Sequence, residues 1–167
     1  MLKRTALILI VLAGLLGVTV GSAIGTAGSG VTADTALGPL VDRELNVNMK
    51  FDDGSRVRLD TNGPIKLAVQ RIVATPGATF GWHAHPGPTL VTVKEGTLTL
   101  YHAEDCTRGI NYTAGQSFSN LPSEIHLAKN NGSVDLVVFA SYFVPMSVTI
   151  PPDLRLDRPL PGVGCPQ

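Results

Sequence analysis

Four histidines stand in this chain, at His83, His85, His102 and His126. A neutral imidazole offers a lone pair near physiological pH, which makes histidine the commonest side-chain ligand for transition metals. His83-Ala84-His85 lies between Gly81-Trp82 and Pro86-Gly87-Pro88. On a strand, residues i and i+2 share a face, so both rings would project the same way. Two imidazoles on one face are half of a metal site; the alternative is a pair of exposed strand histidines. His102 follows an alternating apolar run, beside Ala103-Glu104-Asp105, and reads as a surface loop residue.

Groups that could move protons or hold an anion are few. Glu124 lies two before His126 and shares its face if a strand has begun there. It is the candidate catalytic residue, as a base or at the mouth of the site, against the plainer reading of a solvated loop glutamate. Glu95 precedes Gly96 at a hairpin and reads as pointing to solvent. Arg71 has the parity of Leu67, Val69 and Val73, so it either faces the interior to meet an anion or snorkels from an edge. Phe80 and Trp82 have opposite parity to the histidine pair and read as packing. Val91 and Val93 share the parity of Thr89 and would line an apolar interior.

The elements that must position these residues read as strands. Apolar alternation or β-branched runs fall at 47–51, 57–59, 66–74, 89–94, 97–101, 110–113, 125–128 and 134–144. Turn signals separate them, among them Asp52-Asp53-Gly54, Asn62-Gly63-Pro64, Pro76-Gly77, Glu95-Gly96 and Asn130-Asn131-Gly132. Closely spaced strands with Gly-rich turns predict an all-β antiparallel sandwich or small barrel. The one helical candidate, 37–45, is disturbed by Gly38-Pro39.

Composition agrees. The 167 residues favour one domain. Lys+Arg and Asp+Glu are 13 each, which excludes nucleic-acid binding through a basic face. Hydrophobic residues reach 44%, enough for a core, and the 18 Gly and 12 Pro suit turns. Two cysteines exclude a multi-bridge miniprotein or a four-cysteine zinc site.

Lys3 and Arg4 precede an uncharged, proline-free run over 5–20, and small residues follow. This predicts a signal peptide over 1–27, cut after Ala23 or Ala27, or an uncleaved membrane anchor. Either puts the body outside the cytoplasm, with a membrane as partner only if the segment stays uncut. Residues 28–40 read as a flexible linker and 41–167 as the single domain. In an oxidising compartment Cys106 and Cys165 would pair, against the alternatives of unpaired thiols or an intermolecular bridge. Asn111-Tyr112-Thr113 and Asn131-Gly132-Ser133 fit the glycosylation sequon.

The wider spacing carries a resemblance. Gly77 is followed by five residues, His83-x-His85, three residues, Thr89, six residues and Gly96. A second block holds Gly115, Pro122, His126 and Asn130. The two blocks resemble the paired motifs of the cupin family, Gly-x5-His-x-His-x3,4-Glu-x6-Gly and Gly-x5-Pro-x-Gly-x2-His-x3-Asn, with a motif core over 66–144. The resemblance implies an antiparallel double-stranded β-helix, a jelly-roll-like barrel. It implies His83, His85 and His126 as ligands of one divalent transition metal (Fe, Mn, Zn, Ni or Cu). The family's metal-binding glutamate falls at Thr89, so that position is vacant. Pro122 comes one place late, at the position after Leu121, and Ser123 replaces a glycine. The implied function is an exported metal-binding cupin, of oxygenase or lyase type, acting on a small anionic chelating molecule. The alternatives are a non-catalytic extracellular metal or small-ligand binder, or a barrel whose histidines meet no metal. Many cupins dimerise through their sheets, so a homodimer is a further implication.

Overall fold

The computed structural model describes residues 25–36, 40–41 and 44–167. The signal or anchor segment lies almost wholly outside the described residues. Among the described residues, no helix is long and apolar enough to cross a membrane.

Among the described residues, thirteen strands run in order: β1 (Ser29–Ala36), β2 (Leu40–Val41), β3 (Asn46–Lys50), β4 (Arg56–Asp60), β5 (Ile65–Thr79), β6 (His83–Ala84), β7 (Thr89–Glu95), β8 (Thr97–His102), β9 (Asp105–Thr113), β10 (Ser117–Asn120), β11 (His126–Lys129), β12 (Leu136–Val144) and β13 (Leu156–Asp157). All pairings are antiparallel. One wall runs β10-β7-β12-β5, with β1 and β2 also on β5. The other joins β9 to β8, β8 to β11, β11 to β6 and β6 to β13. The walls meet where Thr79 of β5 pairs with Lys129 of β11, which gives the nearly closed barrel of a jelly roll. β3 and β4 form a separate hairpin.

Period-two alternation fills the interior. On β5, Ala68, Gln70, Ile72 and Ala74 point in, and on β7, Thr89, Val91 and Val93 do. β12 supplies Leu136, Val138, Ala140, Tyr142 and Val144 to the same core. Arg71 is exposed on the outer face of β5, so it does not face the interior; it is not at an edge either, since it pairs with Asp34 of β1 on one side and Phe139 of β12 on the other.

Four elements differ from the sequence reading. Residues 29–36 are not linker: β1 pairs with β5 from Ser29↔Thr79 to Ala36↔Val69. Its small, weakly apolar residues carry little pattern, and a sheet edge supplies their hydrogen bonds. β5 passes through Pro76-Gly77 to Thr79, because Gly77 takes φ +79 and still donates its N–H to the Asn130 carbonyl. β9 begins at Asp105, so Cys106 is on a strand; its mostly exposed residues suit a sheet edge. β10 is polar in sequence, yet Phe118 and Asn120 turn inward.

Candidate metal centre

β6 and β11 carry the three histidines to one place. His126 is the Cα partner of His83 across β6 and β11 and of His102 across β8 and β11. His83, His85 and His126 are all buried, and one ring nitrogen from each lies within 4.8 Å of the others.

Each ring is held from behind by a backbone carbonyl. His83 Nδ1 donates to Gly81 at 2.8 Å, His85 Nδ1 to Leu154 at 2.7 Å and His126 Nδ1 to Glu124 at 3.0 Å. A carbonyl only accepts, so Nδ1 carries the proton and Nε2 keeps its lone pair. Burial then holds the rings neutral. It drives His126 down to about 3, with the neighbouring His85 adding to the effect. His83 is pushed well below the usual range by burial and by His126, and burial lowers His85.

This donor set fits a divalent transition metal: three neutral imidazole nitrogens, oriented and converging. Two buried polar atoms lie unpartnered nearby in the barrel, of which Asn120 lines the cavity at the histidines and Thr89 does not. Thr89 Oγ1 and Asn120 Oδ1 have no hydrogen-bond partner among the described residues, although both side chains are fully enclosed. Thr89 is in register with Asn120 on one side and Tyr142 on the other. Asn120 Nδ2 lies 3.3 Å from His126 Nε2.

Glu124 is placed differently from the sequence expectation. Its side chain lines neither cavity at the histidines. The carboxylate accepts from His102 Nδ1 at 2.7 Å and from the Leu121 N–H at 2.7 Å, while only its backbone carbonyl reaches His126. The reason is local. β11 begins at His126, so Glu124 belongs to a turn in which Ser123 has φ +62, and strand parity does not apply. That left-handed conformation favours glycine, the residue the family motif has here. His102, read as a loop residue, ends β8 and is half-buried in the pair with Glu124.

Two cavities share the walls formed by His83, His85, Ile72, Phe80 and Tyr142. The inner one, about 40 Å³, is completed by Asn120, His126 and apolar barrel residues. The outer one, about 390 Å³, adds Gln70 and Arg155. Phe80 is therefore a cavity residue. Trp82 is fully buried packing and donates its Nε1 to the Pro166 carbonyl at 2.8 Å. Sequence reasoning missed Asn120, Tyr142, Gln70 and Arg155. Tyr142 and Gln70 follow from the interior parity of β12 and β5 once register is known. Asn120 shares parity with Phe118 on a strand too polar to notice. Arg155 has no local signal at all.

Cys106 and Cys165 form a disulfide. It ties β9 to the tail that follows β13.

The family model of the cupin domain matches residues 70–142. No curated protein matches the sequence. Among solved structures, the polyketide cyclase RemF from Streptomyces resistomycificus is 11% identical with a TM-score of 0.50, over 80% of this chain and 74% of that one. A cupin superfamily protein from Desulfitobacterium hafniense DCB-2 is 12% identical with a TM-score of 0.48, over 72% of this chain and 84% of that one. An oxalate oxidase is 20% identical with a TM-score of 0.42 over 48% of this chain, which spans about half (46%) of that protein's length. At 11% identity the likeness to RemF is one of fold. The barrel and the three-histidine cluster agree with the family match: residues 70–142 of this chain match the cupin domain.

Proposed function

We propose that this is an extracytoplasmic metal-binding cupin that holds one divalent transition ion through His83, His85 and His126 and takes a small anionic chelating molecule beside them. The observation that carries this reading is the triple anchoring of Nδ1 to backbone carbonyls, which leaves three buried Nε2 atoms facing one point. A bound ion would supply Lewis acidity and, for a redox-active metal, electrons. The protein residues bring no negative charge to it: Thr89 stands where the family has glutamate, and the Glu124 carboxylate faces His102. An anionic chelator supplies the missing charge together with two donor atoms. Tyr142, whose hydroxyl burial keeps protonated, offers a hydrogen bond at the wall shared by both cavities.

Oxygenase- or lyase-type chemistry suits such a centre. Non-catalytic binding is favoured by one specific observation: among the described residues, no carboxylate lines either cavity. The metal-loaded protein incubated with oxalate separates the two. Oxygen uptake or carbon dioxide release beyond one equivalent supports the enzyme. Stoichiometric binding without consumption supports the binder.

Signal cleavage after Ala23 fits the body better than cleavage after Ala27. Thr26 accepts the Trp82 N–H at its Oγ1 and donates its own N–H to Arg158 at 2.9 Å. A cut after Ala27 removes both bonds, each worth about 1 kcal/mol. Intact-mass measurement of the exported protein tests this: a chain beginning at Ile24 agrees, and one beginning at Gly28 does not.

A further inference from the structure

The outer cavity is built by three distant parts of the chain: Val31 and Ala33 of β1, Gln70 of β5, and the segment Pro151–Arg155. Its volume of about 390 Å³ exceeds what oxalate needs and falls within the usual range of small-molecule pockets. Among the described residues, Arg155 is the one lysine or arginine that lines it, and no acid does. Asp157 accepts from Arg155 Nε at 2.6 Å, and Nη2 reaches the Thr26 carbonyl at 3.4 Å. These contacts fix the plane of the guanidinium. Its Nη1 donates to nothing among the described residues, and neither does the Tyr142 hydroxyl on the same wall. Gln70, on the same cavity wall, donates an amide N–H to Thr35 Oγ1 at 3.0 Å.

We infer that Arg155 determines ligand specificity, binding a second carboxylate on a small 2-hydroxy or 2-oxo diacid whose other end chelates the metal held by His83, His85 and His126. This rests on the function proposed above. A guanidinium gives a carboxylate parallel, charge-assisted N–H bonds that an ammonium does not match in geometry. Half-burial removes competing water and strengthens the pair. A ligand ending in a methyl group leaves the Arg155 N–H groups facing an apolar neighbour, with the full desolvation cost of an unmade bond. The cavity therefore adds its own selection between the two chelators to the preference that the metal alone has for the diacid.

The test uses the full-length body with cobalt in the site, followed by its visible spectrum. Malate and 2-hydroxybutyrate form one probe pair, identical in skeleton except for carboxylate against methyl. The pair 2-hydroxyglutarate and 2-hydroxyvalerate extends the reach by one carbon. Wild type binds at least one diacid about tenfold more tightly than its methyl analogue, the scale of one charged hydrogen bond. Arg155→Gln lowers that ratio about fivefold or more, while its cobalt content and ligand-free spectrum match wild type; Arg155→Lys keeps part of the preference. Equal affinity within both pairs in wild type overturns the role of Arg155 and leaves the metal centre standing. So does a preference that is undiminished in Arg155→Gln. Failure of cobalt to bind, or of any of the four acids to perturb its spectrum, overturns the chelator-binding function itself and this inference with it.

Discussion

Leu154 accepts the Nδ1 proton of His85 at 2.7 Å, across 69 residues of chain. The carbonyl belongs to a single 3-10 turn, Pro152–Leu154, in the tail that follows the barrel. The same tail carries Arg155, caps Trp82 through the Pro166 carbonyl and is tied down at Cys165. One metal-directed ring is thus oriented by a segment outside the family's motif core.

Opening the disulfide should loosen this tail. The loop it closes spans 59 residues, and the chain-entropy model gives a loss of about 4 kcal/mol on removing such a bridge. Metal affinity should fall as well, up to about tenfold to a hundredfold, because His85 loses the carbonyl that fixes its tautomer. Thermal unfolding and metal titration of Cys165→Ser against wild type check this. Lower stability with unchanged metal affinity would show that Leu154 does not orient His85.

Much of this architecture is written in the residues. Alternation on β8 marks Leu98 and Leu100 as inner residues, whereas β12 is apolar on both faces and its inner face follows only from register. The spacing of His83, His85 and His126 names the three rings that the fold brings together. Weak local patterns hide the rest. β1 is made of small residues and gains its order from the edge of β5. Glu124 shares a face with His126 only if a strand spans both, and the left-handed turn at Ser123 breaks that parity. Arg155 reaches the site from a terminal tail whose path is set by tertiary contacts, so no window of sequence contains the signal.

The metal-free protein should lose stability as the pH falls below about 6.5, the ordinary histidine value. The unfolded chain protonates His83, His85 and His126 there, whereas burial keeps them neutral in the folded state. The unfolded state then binds more protons, so lowering the pH favours it, down to the folded value of about 3 for His126. Each histidine contributes up to about 1.4 kcal/mol per pH unit inside that window. Chemical denaturation of the apo protein from pH 7.5 to 4.5 measures the slope. A flat profile would mean that the rings are already solvated or protonated in the fold.

Thr89→Glu places a carboxylate at a fully buried position whose hydroxyl has no partner. It fills one open coordination position and cancels one charge. Metal affinity should rise and oxalate affinity should fall by about tenfold or more, on the scale of one charged contact. Titration of the cobalt-substituted proteins checks both. Equal oxalate binding by the two would place residue 89 away from the ion.

Glu124→Gln should leave metal content near wild type, because the contact with His126 comes from the backbone carbonyl. It weakens the pair with His102 and the bond to the Leu121 N–H, at a cost of about 1 kcal/mol in stability. Turnover, if found with any substrate, should persist in this variant. Its abolition with metal still bound would return Glu124 to a catalytic role.

The central claim is that His83, His85 and His126 hold one metal ion. Elemental analysis of the protein purified from its native compartment tests it most directly, with His126→Ala and His102→Ala purified alongside. The account predicts close to one equivalent of a single divalent transition metal in wild type and in His102→Ala, and little in His126→Ala. Equal content in all three proteins, or none in any of them, would contradict it.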